Sequence, residues 1–501
     1  MAKGLMFLGT GSDVGKSIAV TAFCRILSRR GFKVAPFKAQ NMSNNSYVTV
    51  EGGEIGRAQV VQAEASGLLP SIHMNPVLLK PSSGVGSQVV IHGKVFKQMD
   101  AMKFYQLKPI LKRPILDSYN FLSQRYDIVL LEGAGSCCEM NLKDRDLVNL
   151  PMAKEVGARC ILVADIDRGG IFAQIIGTME LMDRDERDMV IGFLINKFRG
   201  DPRLFRSGIE YIEKATGKPV LGLIPYYHNI MIDPEDSMIL QKDRKRSRPL
   251  RQDAINIGVV RLPSISNFTD FELLEREPDV VLNYLSSLKE LDTRYDMLIV
   301  PGSKNVISDG IWLERTGWKR KIREFKKRGK WILGICGGYQ LMGKEIKDPW
   351  GVESDKGKIK GLGILPVETV LEREKIVREV VGICLINRKR IKGYEIHMGR
   401  TRVVERSGRP FLKIHRPGKK AAWIDGWVSE DERIFGTYVH GILDSSGFRA
   451  EFLNQIRRVK GLKQRRPKRG ISAREKEYDK LADHFETHCE VDRIIQMAIQ
   501  S

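Results

Sequence analysis

No stretch of this 501-residue chain holds the roughly eighteen consecutive apolar residues that a bilayer-spanning helix needs. The first residues lead almost at once into a glycine-rich loop that has to be folded, which argues against a cleaved leader. The seven cysteines, at 24, 137, 138, 160, 336, 384 and 489, are odd in number, scattered, and without paired metal-ligand spacing. Reduced thiols and a cytoplasmic location are therefore expected. Cys137 and Cys138 are adjacent, and vicinal cysteines close a disulfide only with strain, so both read as small packing residues. Neither an internal repeat nor a low-complexity segment is present. Aromatic residues make up only 8% of the chain and do not interleave with the basic segments 242–251, 319–330 and 457–469. The formal net charge of +22 thus reads as a solvated linker, a solvated helix face and a basic tail, with no nucleic acid expected as partner. A polycarboxylate substrate would use the same positive potential.

What is present describes an ordinary globular protein, 42% hydrophobic and 29% charged, long enough for two or three domains. Short apolar runs alternate with longer amphipathic ones, the pattern of βαβ units and parallel sheets. Strands are expected at 4–8, 33–37, 127–131, 160–164 and 190–195, then at 255–262, 297–300, 331–335 and 361–365. The expected class is α/β with two doubly wound parallel-sheet domains. A nucleotide domain occupies 1–240, a basic linker 241–253 and a second domain 254–456. Segment 457–501 is a basic stretch and a terminal helix expected to lie on the second domain.

The richest segment is Trp331-Ile-Leu-Gly-Ile-Cys336-Gly-Gly-Tyr-Gln340, a buried strand that delivers a cysteine into a glycine-flanked turn. The glycines are expected to permit the backbone angles of a sharp elbow, and a following helix N-terminus favours thiolate over thiol. A nucleophile is recognised together with its base. His440 lies 104 residues on, in Gly436-Thr-Tyr-Val-His440-Gly441, again a strand leading into a glycine turn. If both strands end on one sheet edge, His440 takes the Cys336 proton and returns one to leaving ammonia. Met297-Leu-Ile-Val-Pro-Gly302 supplies a turn whose Gly302 N–H joins that of Gly337 in an oxyanion hole, and Gln340 helps to hold the substrate amide.

At the other end, Gly9-Thr10-Gly11-Ser12-Asp-Val-Gly15-Lys16-Ser17 follows a strand and opens a helix, the setting of a phosphate-cradling loop. Its N–H groups converge on phosphate oxygens, Lys16 neutralises the β and γ phosphates of ATP, and Ser17 ligates Mg²⁺. Glu132, at the carboxyl end of a strand, is a direct or indirect Mg²⁺ ligand, and Asn196 reads an adenine edge.

The loop departs from the usual spacing at Thr10 and resembles the dethiobiotin-synthetase-like branch. The Cys336 and His440 constellation resembles the class I, or triad-type, glutamine amidotransferases. Most of that family carries a glutamate two residues after the histidine. Here that position is Ile442, a departure shared with the cobyrinate-amidating branch, so the third member is absent or comes from elsewhere, Asp444 being one candidate. The blocks Lys38-Ala-Gln-Asn41-Met-Ser43, Met74-Asn-Pro-Val-Leu-Leu-Lys80-Pro81, Ala164-Asp-Ile-Asp-Arg-Gly-Gly170, Arg261-Leu-Pro-Ser-Ile-Ser-Asn-Phe-Thr-Asp270 and Gly393-Tyr-Glu-Ile-His-Met-Gly-Arg400 resemble the cobyric acid synthase family. That resemblance implies four amidations of peripheral corrin carboxylates, with L-glutamine as nitrogen donor and ATP consumed each time. It also implies that Asn41 and Ser43 line the corrinoid or Mg²⁺ site. The sister cobyrinate a,c-diamide synthases share both domains, and a non-enzymatic partitioning or nucleic-acid-binding ATPase would share the glycine loop alone.

Overall fold

A computed structural model describes residues 1–82, 86–100, 107–227, 230–232, 248–467 and 470–500. The expected domain boundary at 240 and most of the basic linker lie outside these residues.

The N-terminal sheet has six strands in the order Val220–Pro225, Val190–Phe198, Arg159–Asp165, Lys3–Gly9, Ile128–Glu132, Val34–Phe37, every neighbouring pair parallel. These strands read as continuous apolar runs because both faces are covered. Met6 and Leu8 face one core cluster, Leu5 and Phe7 the other. Because the strands run parallel, their carboxyl ends share one edge, and that edge carries the glycine loop, Glu132, Asp165 and Asn196. A separate small sheet, Gln40–Met42, Val77–Ser82, Gly86–Ile91 and Lys94–Met99, leans toward the second domain.

The C-terminal sheet has eleven strands and is mixed. Its parallel half runs Val280–Leu285, Ile255–Val260, Met297–Val300, Trp331–Ile335, Ile434–Thr437. From there it continues through antiparallel pairs, Ala422–Val428, Arg409–His415 and the long hairpin Val367–Cys384 with Arg390–Val403. Alternation along the hairpin is visible in its burial pattern, yet its length and charge hide it among the amphipathic helices. Residues 361–365, expected to be a strand, form an irregular turn. Its carbonyls are taken by the basic helix Trp318–Lys327, Arg323 Nε donating to Leu362 O at 2.7 Å and Lys326 Nζ to Ile364 O at 3.1 Å. That helix is therefore only partly a solvated face.

The terminal segment overturns a further expectation, since it crosses back to the first domain. Tyr478, Leu481, Ala482 and Phe485 of the helix Gly470–His488 join the core beneath Lys16–Arg29, with Phe485 edge-on to Phe23. Arg25 and Arg29 pair with Asp479 and Asp483 along the seam. The start of the basic stretch is no tail either. Arg457 is fully buried and forks onto both oxygens of Asp279, at 2.9 and 3.0 Å.

Candidate active site

Cys336 follows the interior strand Trp331–Ile335 of the C-terminal sheet directly and heads the helix Gly337–Met342, with φ 52° and ψ −110°. A non-glycine residue in that region stores strain, which the surrounding packing has to impose. The strain thus sits on the cysteine itself. The neighbouring glycines, expected to supply unusual angles, answer a different need. A Cβ at Gly338 would run into Val300 O, one at Gly334 into Met342 Sδ, and one at Gly337 would lie 2.8 Å from Ser303 N. They are glycines so that the elbow can press against the adjacent strand end.

Register brings the histidine alongside. Ile335 pairs with Thr437, so His440 emerges one strand over on the same edge. Its backbone is clamped by reciprocal hydrogen bonds with Tyr394 at 2.9 and 3.1 Å, and the Tyr394 ring stacks over the imidazole at 5.4 Å. Cys336 lies close enough to His440 to raise the pKa of its imidazole, and the Cys336 Sγ reaches Ile396 O at 3.4 Å.

Asp270 supplies what the sequence left open. Its Oδ2 lies 2.7 Å from His440 Nδ1, and its Oδ1 accepts the Gly441 N–H at 2.9 Å. Asp444 does not take this place, being paired with Arg474 at 3.1 Å, while Ile442 is buried in the core. Burial alone would push the His440 pKa down; the Asp270 carboxylate and Cys336 outweigh it and push it up to about 10. The site therefore favours imidazolium beside sulfur, with the ring held in one orientation.

Gly302 is confined in the same way as the elbow glycines, since a Cβ there would lie 3.0 Å from Ser266 O and 3.1 Å from His440 Cε1. Ser303 donates to Asp309 at 2.6 Å, which fixes the turn, and Gly337 opens a helix where first-turn N–H groups lack intrahelical acceptors. Gly337 thus follows the nucleophile directly, and Gly302 packs against the catalytic histidine. The buried Gln340 donates its Nε2 N–H to the Tyr438 hydroxyl at 3.3 Å.

The carrier of Asp270 is tied to the other domain. Asn267, at φ 50°, donates to Ser46 O at 3.0 Å and to the Tyr394 hydroxyl at 3.1 Å. Thr269 Oγ1 donates to Asn45 Oδ1 at 3.1 Å. Asn41 and Ser43, expected to meet substrate, belong to the same buried loop. Asn41 Nδ2 donates to Gln59 at 3.0 Å, and the Ser43 hydroxyl closes a turn with the Asn45 N–H at 3.0 Å. The structure therefore shows them organising the loop that receives Asn267 and Thr269.

At the nucleotide end, Gly15 has φ 104° and a Cβ there would strike the Asn196 amide. Asn196 is buried, its Nδ2 donating to Val14 O at 2.9 Å and its Oδ1 accepting the Lys197 N–H at 2.9 Å. This amide braces the glycine loop from behind. Lys16 Nζ folds back onto Gly11 O at 2.9 Å and Gly135 O at 2.7 Å, and Thr10 Oγ1 donates to Gln174 at 3.2 Å. Ser12 faces Gly135, where a Cβ would lie 3.9 Å from its hydroxyl. Glu132 accepts from Ser17 Oγ at 2.8 Å and Lys38 Nζ at 2.7 Å on one oxygen, and from Gln62 Nε2 at 2.5 Å on the other. A hydroxyl and a carboxylate are hard oxygen donors of the kind Mg²⁺ accepts.

A cysteine elbow, an imidazole and a carboxylate in one domain, with a phosphate-type loop in the other, define a glutamine amidotransferase joined to a nucleotide-binding domain. Two family models agree on this division: a CobB/CobQ-like glutamine amidotransferase domain matches residues 256–448, and a CobQ/CobB/MinD/ParA nucleotide binding domain matches 5–240. The chain is 47% identical to the cobyric acid synthase of Syntrophobacter fumaroxidans, over 98% of each chain. It is 46% identical to that of a Thermoanaerobacter species and 45% to that of Caldanaerobacter subterraneus, over 99% of each chain. The chain belongs to the cobyric acid synthase family. No helix among the described residues is long and apolar enough to cross a membrane.

Proposed function

We propose that the protein amidates the four remaining b, d, e and g carboxylates of adenosylcobyrinic acid a,c-diamide in the cytoplasm, using glutamine as nitrogen donor and ATP to activate each acid, as its full-length relatives' name implies. The Cys336 thiolate attacks the side-chain carbonyl of glutamine, and the oxyanion is met by the Gly302 and Gly337 N–H groups. His440, held by Asp270, protonates the departing nitrogen, and ammonia leaves behind a thioester. Water, deprotonated by the same imidazole, then releases glutamate and restores the thiol.

Ammonia does not displace oxide from a carboxylate, so the acid is first phosphorylated. Transfer of the γ-phosphoryl group of ATP gives an acyl phosphate and ADP; ammonia attacks the acyl carbon and phosphate leaves. The glycine loop and Lys16 hold the phosphates. Bound Mg²⁺ would neutralise their charge, with Ser17 as ligand and Glu132 orienting the Ser17 hydroxyl. For Lys16 this means exchanging the Gly11 and Gly135 carbonyls for phosphate oxygens.

The observation that carries this reading is the buried Asp270–His440 pair beside Cys336, an arrangement with no use in a protein that only hydrolyses nucleotide. Mass spectrometry of the corrinoid after incubation with glutamine, ATP and Mg²⁺ tests it directly. Four acid-to-amide conversions are expected, with one glutamate released per conversion. A product that stops at fewer, or glutamate that never appears, refutes the assignment.

A further inference from the structure

Three lysines converge where the small N-terminal sheet meets the glutaminase. Lys80 pairs with the fully buried Glu54 and donates to Ser46 at 2.9 Å. Lys375, on the long hairpin, takes the other Glu54 oxygen at 2.5 Å and Gln88 Oε1 at 3.3 Å. Lys304 reaches the same Gln88 oxygen at 3.3 Å. Among the described residues, one carboxylate therefore faces three amines. The other acid whose charge acts on Lys304, Glu353, accepts the Ile307 N–H at 3.2 Å, and burial pushes its pKa up to about 7, so it compensates little. Uncompensated positive charge at a buried site costs free energy unless an anion meets it.

The cluster lies beside the nucleophile. Ser303 touches the elbow at Gly337, so Lys304 is the next residue along the turn, and Lys375 lies within the field of Cys336. Lys304 and its turn keep partial exposure, as does Lys375, at 10%. Extended glutamine separates its reacting carbon from its α-carboxylate by about 5 Å. We propose that Lys304 and Lys375 form the site for the α-carboxylate of glutamine, with Glu54, Lys80 and Gln88 of the other domain holding them in place. This rests on the reading of Cys336 as the nucleophile, and it makes the donor site complete only when both domains are engaged.

The titration of the cluster supports an anion site. Burial, then repulsion from Lys375 and from Lys80, lowers Lys304 to about 7, with Glu54 and Glu353 opposing. Burial lowers Lys375 to about 8, Glu54 opposing and Lys80 assisting. A bound carboxylate favours the protonated forms, so glutamine should bind with proton uptake and more weakly as pH rises above about 8.

The test is steady-state glutamate release by the full chain, with L-glutamine and with 4-aminobutanamide, which lacks the α-carboxylate. Lys304→Met and Lys375→Met are each expected to raise KM for glutamine about tenfold or more, with a smaller change in kcat. The same variants should leave kcat/KM for 4-aminobutanamide nearly unchanged, and Lys304→Arg should restore part of the glutamine affinity. Ammonia-driven amidation reports whether each variant is folded. An equal loss on both donors overturns the proposal, as does an unaltered KM for glutamine. So does a rise confined to the KM of the corrinoid in the ammonia-driven assay, which would give the lysines to an acceptor carboxylate. Absence of glutamate release by the unaltered protein would instead reject the Cys336 assignment on which the proposal stands.

Discussion

The two ends of the molecule prepare their reactive groups in opposite ways. Around Cys336 everything is already aimed: the strained elbow, the clamped His440 and the bidentate Asp270 leave little to rearrange when substrate arrives. Around Lys16 the polar groups satisfy one another. Its ammonium sits on two carbonyls, and both Glu132 oxygens are engaged by Ser17, Lys38 and Gln62. The first end pays for its geometry with backbone strain, whereas the second has to trade internal hydrogen bonds for ligand. A preassembled nucleophile risks wasting glutamine when no acceptor is activated, and the hydrogen bonds from Asn267 and Thr269 to residues 45 and 46 give the synthetase domain a grip on the triad acid.

The sharpest break in that comparison is Cys336→Ala, which should cut glutamine-dependent amidation by about 10⁴-fold or more while added ammonia still supports it. Loss of the ammonia reaction as well would dissolve the division of labour between the ends. Asp270→Asn comes next, with glutaminase kcat lowered by about 10²–10⁴-fold because the imidazole loses its orientation and its partner charge. The same variant carries a pH signature. The His440 pKa, raised from 6.5 to about 10, contributes stability that is fully present below 6.5 and is lost as pH rises through about 10. The gap in thermal midpoint between Asp270→Asn and the unaltered protein should accordingly be wide at neutral pH and narrow toward pH 10. A gap independent of pH would deny the pair its role.

Lys16→Ala should remove both the glutamine-driven and the ammonia-driven reactions by about 10²–10³-fold, since both need the acid to be phosphorylated. Ammonia-driven turnover that survives would exclude the glycine loop from the chemistry. The smallest effect is expected from Thr269→Val, which deletes one hydrogen bond across the domain seam. It should cost about 1 kcal/mol and lower glutaminase activity severalfold, with the loss concentrated in stimulation by ATP and corrinoid. An equal loss in stimulated and unstimulated rates would make the bond merely structural.

What was legible in the sequence followed how local each signal is. Strand, elbow and helix around Cys336 occupy consecutive residues, and eight of the nine expected strands appear in place because apolar runs flanked by glycine leave few alternatives. Asp270 was not legible as the partner of His440, because a carboxylate that arrives from 170 residues away obeys no spacing rule. Its only signal was its place at the end of the block 261–270. The terminal helix was recognisable, yet an apolar face does not say which core will cover it, and it covers the first domain. Asn196 is a related case. A strand-end amide beside a phosphate loop looks the same in sequence whether it faces the ligand or braces the loop from behind.

The account stands most directly on the source of nitrogen. The measurement is the isotopic composition of the corrinoid amides formed from amide-¹⁵N glutamine in the presence of unlabelled ammonium, for the unaltered protein and for Cys336→Ala. The account predicts that label enters the product of the unaltered protein and is absent from that of the variant, which continues with ammonium alone. Label in the amides made by Cys336→Ala would contradict it.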